Sequence, residues 1–151
     1  MRRLLFLAGV LVVLVACRSG APATVAPAPT GDAQMQQFVT RVEQLAQNFS
    51  ETVAVADDTS VENLPPVIRQ LQTIQTEVKN LDAPADALKV QAALDSYMDS
   101  KIQCYFKKLK PQNATSEFGN EKKDLCSLSA SKFEYFRQQF DALKQASSIG
   151  Q

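Results

Sequence analysis

The side chains of this sequence that could do chemistry are mainly carboxylates. Asp82 and Asp86 are four residues apart, as are Asp95 and Asp99, so each pair would share one face of a helix. Such pairs can transfer protons or bind a hard cation. The 151 residues include no histidine, which removes the commonest general base and the imidazole metal ligand. We therefore interpret both pairs as solvated charges and expect no catalytic residues, no metal and no cofactor.

A group of aromatic residues near the C-terminal end allows two interpretations. Phe133, Phe136 and Phe140 recur at helical spacing, with Tyr135 beside them. This spacing is typical of the buried face of a helix. The same side chains could instead line an apolar pocket between helices that carries a small apolar ligand. Both interpretations, a filled core and a ligand pocket, are compatible with the sequence.

The N-terminal residues have the pattern of an export signal. Met1, Arg2 and Arg3 form a basic start, and an apolar run follows over residues 4–16. As a helix this run would be roughly 20 Å long at ~1.5 Å per residue, whereas a bilayer core is about 30 Å thick. A basic start, a short apolar run and small residues before its end are typical of a cleaved signal peptide rather than a membrane-spanning anchor.

The end of the apolar run adds a more specific feature. Residues 14–17, LVAC, resemble the lipobox of bacterial lipoproteins. The resemblance covers residues 1–17 and implies that a signal peptide, residues 1–16, is removed just before Cys17. Cys17 would then carry the acyl chains, palmitate among them, that hold the protein on the membrane. The alternative is an ordinary cleaved signal in which the cysteine is incidental. Arg18 is not the aspartate that favours the inner membrane, so both the cell membrane and the outer membrane are allowed.

The next segment reads as a spacer. Residues 17–31 are rich in Ala, Pro and Thr, and Val25 is the only large apolar residue after Cys17. Proline interrupts helices and sheets, and the segment has too little apolar surface to form a core. We expect a disordered linker between the acylated cysteine and a folded domain over residues 32–151. Acidic and basic residues are equal in number over the whole chain, which gives no reason to expect nucleic-acid binding.

The domain shows four stretches of helical periodicity. Apolar residues recur every three or four positions from Met35 to Val53 and from Leu64 to Leu81. A third, weaker stripe starts after Pro84 and runs through Leu88 and Ala92 toward Lys110, and a fourth helix is predicted from residues 116–120 to about residue 146. No stretch alternates as a strand does. With short connections, this pattern predicts an all-α, up-down-up-down four-helix bundle.

The remaining cysteines fit this arrangement. If Cys17 is acylated, Cys104 and Cys126 are left in an exported protein, where disulfides persist. Their midpoint, residue 115, lies in the predicted turn between the third and fourth helices. Residues equidistant from a hairpin turn lie opposite each other, so we predict a Cys104–Cys126 disulfide. Two separate buried thiols are the alternative.

One end of the predicted bundle is a candidate binding tip. The linker enters the first helix at its start, so the turns at residues 57–63 and 111–119 would lie far from the membrane. Five lysines mark this end: Lys107, Lys108, Lys110, Lys122 and Lys123. They could contact an envelope protein or an anionic envelope polymer. The alternative is that they only balance the negative helix ends.

The sequence therefore predicts a bacterial lipoprotein that is lipid-anchored outside the cytoplasm. The expected role is non-enzymatic binding or scaffolding at the cell envelope. A carrier of a small apolar ligand is the alternative.

Overall fold

The computed structural model describes residues 31–109 and 125–149, and all of the regular structure in them is helical. Four α-helices follow one another along the chain: α1 (Gly31–Asp58), α2 (Leu64–Lys79), α3 (Leu88–Leu109) and α4 (Leu125–Ile149). Two short 3₁₀ turns, Val61–Asn63 and Ala85–Ala87, precede α2 and α3. The described residues contain no strand, so the all-helical prediction with four helices is confirmed.

Local chemistry explains the start of α2, whereas α3 starts later along the chain than the sequence pattern predicts. Pro65 and Pro66 occupy the first turn of α2, where no intrahelical N–H donor is needed. Pro84 does not open α3; it precedes the 3₁₀ turn, and α3 begins at Leu88. Asp82 and Asp86 therefore lie before α3 and not on it, which corrects the expectation that they share a helix face.

The core is built by all four helices. In α1 the buried apolar residues recur at three- and four-residue intervals, as an amphipathic helix requires. Tyr105, Phe49 and Leu45 are among the largest fully buried side chains. The other large core residues are Val42, Leu64, Ile68, Leu71, Val78, Leu94, Met98, Ile102, Phe136, Phe140 and Leu143.

The stripe predicted for the third helix is wrong at its start. Leu88 is 55% exposed and Ala92 is also exposed, whereas Val90 and Ala93 are buried. Successive helical residues are rotated by about 100°. The face that carries Val90 and Leu94 toward the core therefore turns Leu88 toward solvent.

Specific side chains join the helices to one another. α3 packs mainly against α4, and α2 packs against both α1 and α3. Arg41 of α1 pairs with Glu77 of α2 at 2.6 Å, and Lys144 of α4 pairs with Glu43 of α1 at 3.3 Å. The ring of Tyr97 on α3 contacts Phe49 of α1 and Phe133 of α4, with centroids 5.5 and 4.9 Å away.

The predicted cysteine pair is present in the structure. A disulfide joins Cys104 of α3 to Cys126 of α4, with the two Cα atoms 5.1 Å apart. It closes a loop that includes residues 110–124, which lie outside the described residues. Within residues 31–109 and 125–149, none of the helices combines the length and the apolar character that crossing a bilayer requires.

Candidate functional site

The carboxylate at the end of α1 has several polar partners. The Tyr105 hydroxyl donates a hydrogen bond to Asp57 Oδ1 at 2.8 Å and also lies 3.2 Å from the carbonyl oxygen of Val53. Lys101 Nζ is 3.4 Å from Asp57 Oδ2, and Lys108 Nζ is 3.6 Å from Asp57 Oδ1. We refer to Asp57, Lys101, Tyr105 and Lys108 as the Asp57 cluster.

Helical spacing explains why α3 supplies three members of the cluster. Lys101, Tyr105 and Lys108 are separated by four and three residues, so they lie on one face of α3. Tyr105 is fully buried, and the two ammonium groups lie 5.2 and 5.0 Å from the centroid of its ring. At this distance a cation is attracted to the face of an aromatic ring. The cluster therefore joins the end of α1 to the last turns of α3.

The cluster changes the proton affinities of its members in opposite directions. Partial burial alone would raise the pKa of Asp57, but the Tyr105 hydrogen bond and the Lys101 and Lys108 charges lower it below the ordinary value of 3.8. Burial, together with the hydrogen bond to Asp57 and its negative charge, raises the pKa of Tyr105 well above 10.0. Burial and the Asp57 charge also raise the pKa of Tyr97. The pKa values of Asp57 and Tyr105 therefore both lie further from neutral pH than is usual for these side chains. This suits a structural role better than proton transfer.

The end of the molecule that holds the cluster is the predicted tip, and its described charges are balanced. We define the distal end as residues 57–63 and 101–109. It carries three lysines, Lys101, Lys107 and Lys108, and three carboxylates, Asp57, Asp58 and Glu62. By sequence, residues 110–124 add Lys110, Lys122 and Lys123 but also Glu117, Glu121 and Asp124. The five lysines taken alone therefore overstate the positive charge of this end.

Of the five lysines predicted to mark the tip, two lie within the described residues. Lys108 is part of the Asp57 cluster, with about half of its side chain exposed. Lys107 is exposed in the last turn of α3. Lys110, Lys122 and Lys123 lie outside the described residues. The structure thus pairs Lys108 with the side chain of Asp57, and the contact of this end with a partner stays a prediction.

The carboxylate pairs are not brought together into a site. Asp82 accepts a hydrogen bond from Gln34 Nε2 at 3.5 Å, and Asp86 lies in the 3₁₀ turn before α3. Asp95 accepts a hydrogen bond from Gln75 Nε2 at 2.7 Å and lies 3.6 Å from Lys79 Nζ, while Asp99 is exposed. No group of three or more candidate metal ligands occurs in residues 31–109 and 125–149.

The phenylalanines of α4 contact one another. The rings of Phe136 and Phe140 stack with centroids 5.6 Å apart, and Phe133 lies 6.4 Å from Phe136. Tyr135 is 47% exposed and points away from this row. These contacts are those of a filled core, and the ligand-carrier alternative stays a prediction.

Two clefts lie at the opposite end of the molecule. One, of about 770 Å³, is lined mainly by polar residues of α1 together with Leu81 and Asp82. The other, of about 370 Å³, lies among the start of α1, residues 84–86 and the end of α4. We define the proximal end as residues 31–36, 81–86 and 143–147. The second cleft brings the point where the chain enters α1 close to the end of α4.

The Asp57 cluster was missed by sequence reasoning. Asp57 and Asp58 belong to the segment predicted as a turn, residues 57–63. The contact of Asp57 with Tyr105 joins residues 48 positions apart, so no local pattern signals it. The spacing of Lys101, Tyr105 and Lys108 was the one available sign that these side chains share a face.

Cys17 and the lipobox lie outside the described residues. No protein-family model, no curated protein and no solved structure matches the chain. The functional interpretation therefore depends on the residues themselves.

Proposed function

We propose that this protein is a bacterial lipoprotein, acylated on Cys17 and held outside the cytoplasm on the cell membrane or the outer membrane. The helical domain serves there as a non-enzymatic binding or scaffolding module. The observation that carries the location is the Cys104–Cys126 disulfide in a chain whose start resembles a lipoprotein signal. Disulfides persist in oxidising compartments and are rare in the bacterial cytoplasm.

The four helices are proposed to form an up-down-up-down bundle. Three contacts support this order: Gln34 with Asp82, Arg41 with Glu77, and Lys144 with Glu43. Each is expected if α1 and α2 run in opposite directions and α4 runs opposite to α1. In this arrangement the proximal end faces the linker and the membrane. The 28 residues of α1 then separate the distal end from the linker by about 40 Å.

The distal end is the proposed contact surface, and a protein is the proposed partner. The Asp57 cluster fixes the end of α1 on α3, so the exposed side chains around it have a stable framework. An anionic polymer would be attracted by an excess of positive charge. The distal end carries equal numbers of lysines and carboxylates, and Val55 and Val61 are exposed apolar side chains nearby. Exposed apolar side chains bordered by solvent-accessible charged residues are compatible with a protein–protein surface that has an apolar centre and a polar rim.

Photo-crosslinking in cells tests the contact surface. A photoreactive residue is placed at Lys107 of the distal end, with Lys89, an exposed lysine at the start of α3, as the matched control. We expect a discrete protein adduct from position 107 and none from position 89. Equal labelling from both positions, or none from either, would contradict a distal protein contact. Labelling of polysaccharide alone from position 107 would indicate that the partner is an anionic polymer and not a protein.

A further inference from the structure

The two cysteine residues of the disulfide differ in their exposure to solvent. Cys104, within α3, is 2% exposed, whereas Cys126, the second residue of α4, is exposed. Thiol–disulfide exchange requires an incoming thiolate to approach one sulfur directly. Of the two residues, Cys126 is therefore the one that an external reagent or protein can approach, while Cys104 is shielded by the packing of α3 against its neighbours.

The positions of the two residues in their helices add a second asymmetry. Cys126 lies in the first turn of α4, where the helix dipole stabilises a thiolate. Cys104 lies inside α3, away from the first turn of any helix, and has no such stabilisation. The adjacent Tyr105 holds this part of α3 on α1 through Asp57 without help from the disulfide. Cys104 therefore has a framework that keeps it buried when the disulfide is absent.

We propose that Cys126 is the sulfur through which this disulfide exchanges with external thiols and disulfides, and that its partner is a thiol–disulfide oxidoreductase. In the oxidising direction the Cys126 thiolate attacks the disulfide of the oxidoreductase, forming a mixed disulfide and releasing one cysteine of the partner as a thiolate. The Cys104 thiol then loses its proton, and its thiolate attacks Cys126 Sγ. The Cys104–Cys126 bond forms, and the second cysteine of the partner leaves. Two electrons and two protons pass from this protein to the oxidoreductase.

The order in which the two cysteines react follows from the fold alone. Only the class of physiological partner rests on the extracytoplasmic location proposed above. A mixed disulfide on Cys104 would have to place a bulky group between α3 and its neighbours. A mixed disulfide on Cys126 leaves the helices in place, with Cys104 5.1 Å away between Cα atoms. Glutathione disulfide, which carries no location signal, therefore tests the order separately from the location.

The first experiment compares single thiols in the full chain carrying Cys17→Ala, purified in mild detergent. Cys104→Ser leaves Cys126, and Cys126→Ser leaves Cys104. We expect glutathione disulfide to modify the remaining Cys126 at least about tenfold faster than the remaining Cys104 in native buffer, because burial slows exchange. In concentrated guanidinium chloride the two rates should become similar. Native rates that are equal, or faster at Cys104, would overturn the proposal.

A second measurement avoids any dependence on the folding of the serine variants. The reduced Cys17→Ala chain with both thiols is exposed briefly to glutathione disulfide, quenched in acid and mapped by mass spectrometry. We expect the mixed disulfide on the peptide that contains Cys126. Adducts found chiefly on Cys104 would overturn the proposal, whatever the variants do.

Discussion

At the scale of single residues, Asp57 joins several contacts that depend on charge. It accepts a hydrogen bond from the buried Tyr105 hydroxyl and pairs with Lys101 and Lys108. Surface ion pairs on their own contribute little to stability. Here the pairs share one carboxylate with a buried hydroxyl, and removal of the charge would leave that hydroxyl with a weaker acceptor. The contribution of Asp57 should therefore be measurable.

We expect Asp57→Asn to lower the free energy of unfolding by about 1 kcal/mol at neutral pH, a value kept small because nearly half of the side chain is exposed. The folded-state pKa of Asp57 is lowered, so its stabilisation is present above the unfolded pKa and is lost as the pH falls through the folded value. Urea unfolding from about pH 5 to about pH 2 should thus show a steeper loss of stability in the unmodified protein than in the variant.

The neighbouring exposed carboxylate provides the control for this measurement. Asp58→Asn changes the same charge one residue away, outside the cluster. We expect it to leave both the stability at neutral pH and the slope with pH nearly unchanged. Similar losses in Asp57→Asn and Asp58→Asn would mean that net charge, and not the cluster, is responsible.

At the scale of elements, a side chain of α3 caps the C-terminal end of α2. The last carbonyl groups of a helix have no partner within it. The side-chain amide of Gln91 on α3 donates to the carbonyl oxygens of Val78 and Leu81 at 2.8 and 3.0 Å, and it lies 3.4 Å from that of Lys79. One side chain thus caps α2 and ties the connection at residues 80–84 to α3.

Substitution of Gln91 tests this cap. We expect Gln91→Ala to lower the free energy of unfolding by about 1 kcal/mol, because buried carbonyl groups lose their donor. Gln91→Glu should also lower it, since a carboxylate cannot donate a hydrogen bond to these carbonyl oxygens. Gln103→Ala, at an exposed position of the same helix, is the control and should cost less than about 0.5 kcal/mol. Equal effects of Gln91→Ala and Gln103→Ala in urea unfolding would rule out the cap.

At the scale of the whole molecule, the acylated cysteine, the linker and the helical domain have separate roles in the proposed function. In the proposed function, attachment to the membrane depends on the acyl chains of Cys17. Several acyl chains at ~0.8 kcal/mol per buried CH₂ would hold the protein firmly. The disulfide then acts at the other end of the molecule, where it joins α3 to α4.

Metabolic labelling tests the anchor. We expect the protein with its natural sequence, produced in a bacterium, to incorporate labelled palmitate and to sediment with membranes. Cys17→Ala should lose the label, because the acylated thiol is absent. Arg18→Ala, which changes the next residue and keeps the lipobox, should retain it. Palmitate retained by Cys17→Ala, or absent from the protein with its natural sequence, would refute the lipoprotein assignment.

The sequence by itself determined the features that depend on neighbouring residues. Apolar spacing over three or four positions predicted four helices. The symmetry of Cys104 and Cys126 about one turn predicted their contact. These signals are local or follow from a single hairpin, so they can be read along the chain.

Only the tertiary structure decided which side chains meet across the domain. It turned Leu88 to solvent, placed Asp82 and Asp86 before α3, and brought Asp57 to Tyr105. It also gave Cys104 and Cys126 unequal exposure. These outcomes depend on the rotation of each helix about its axis and on its position along its neighbours. Many core contacts set both together, and periodicity in one segment does not contain that information.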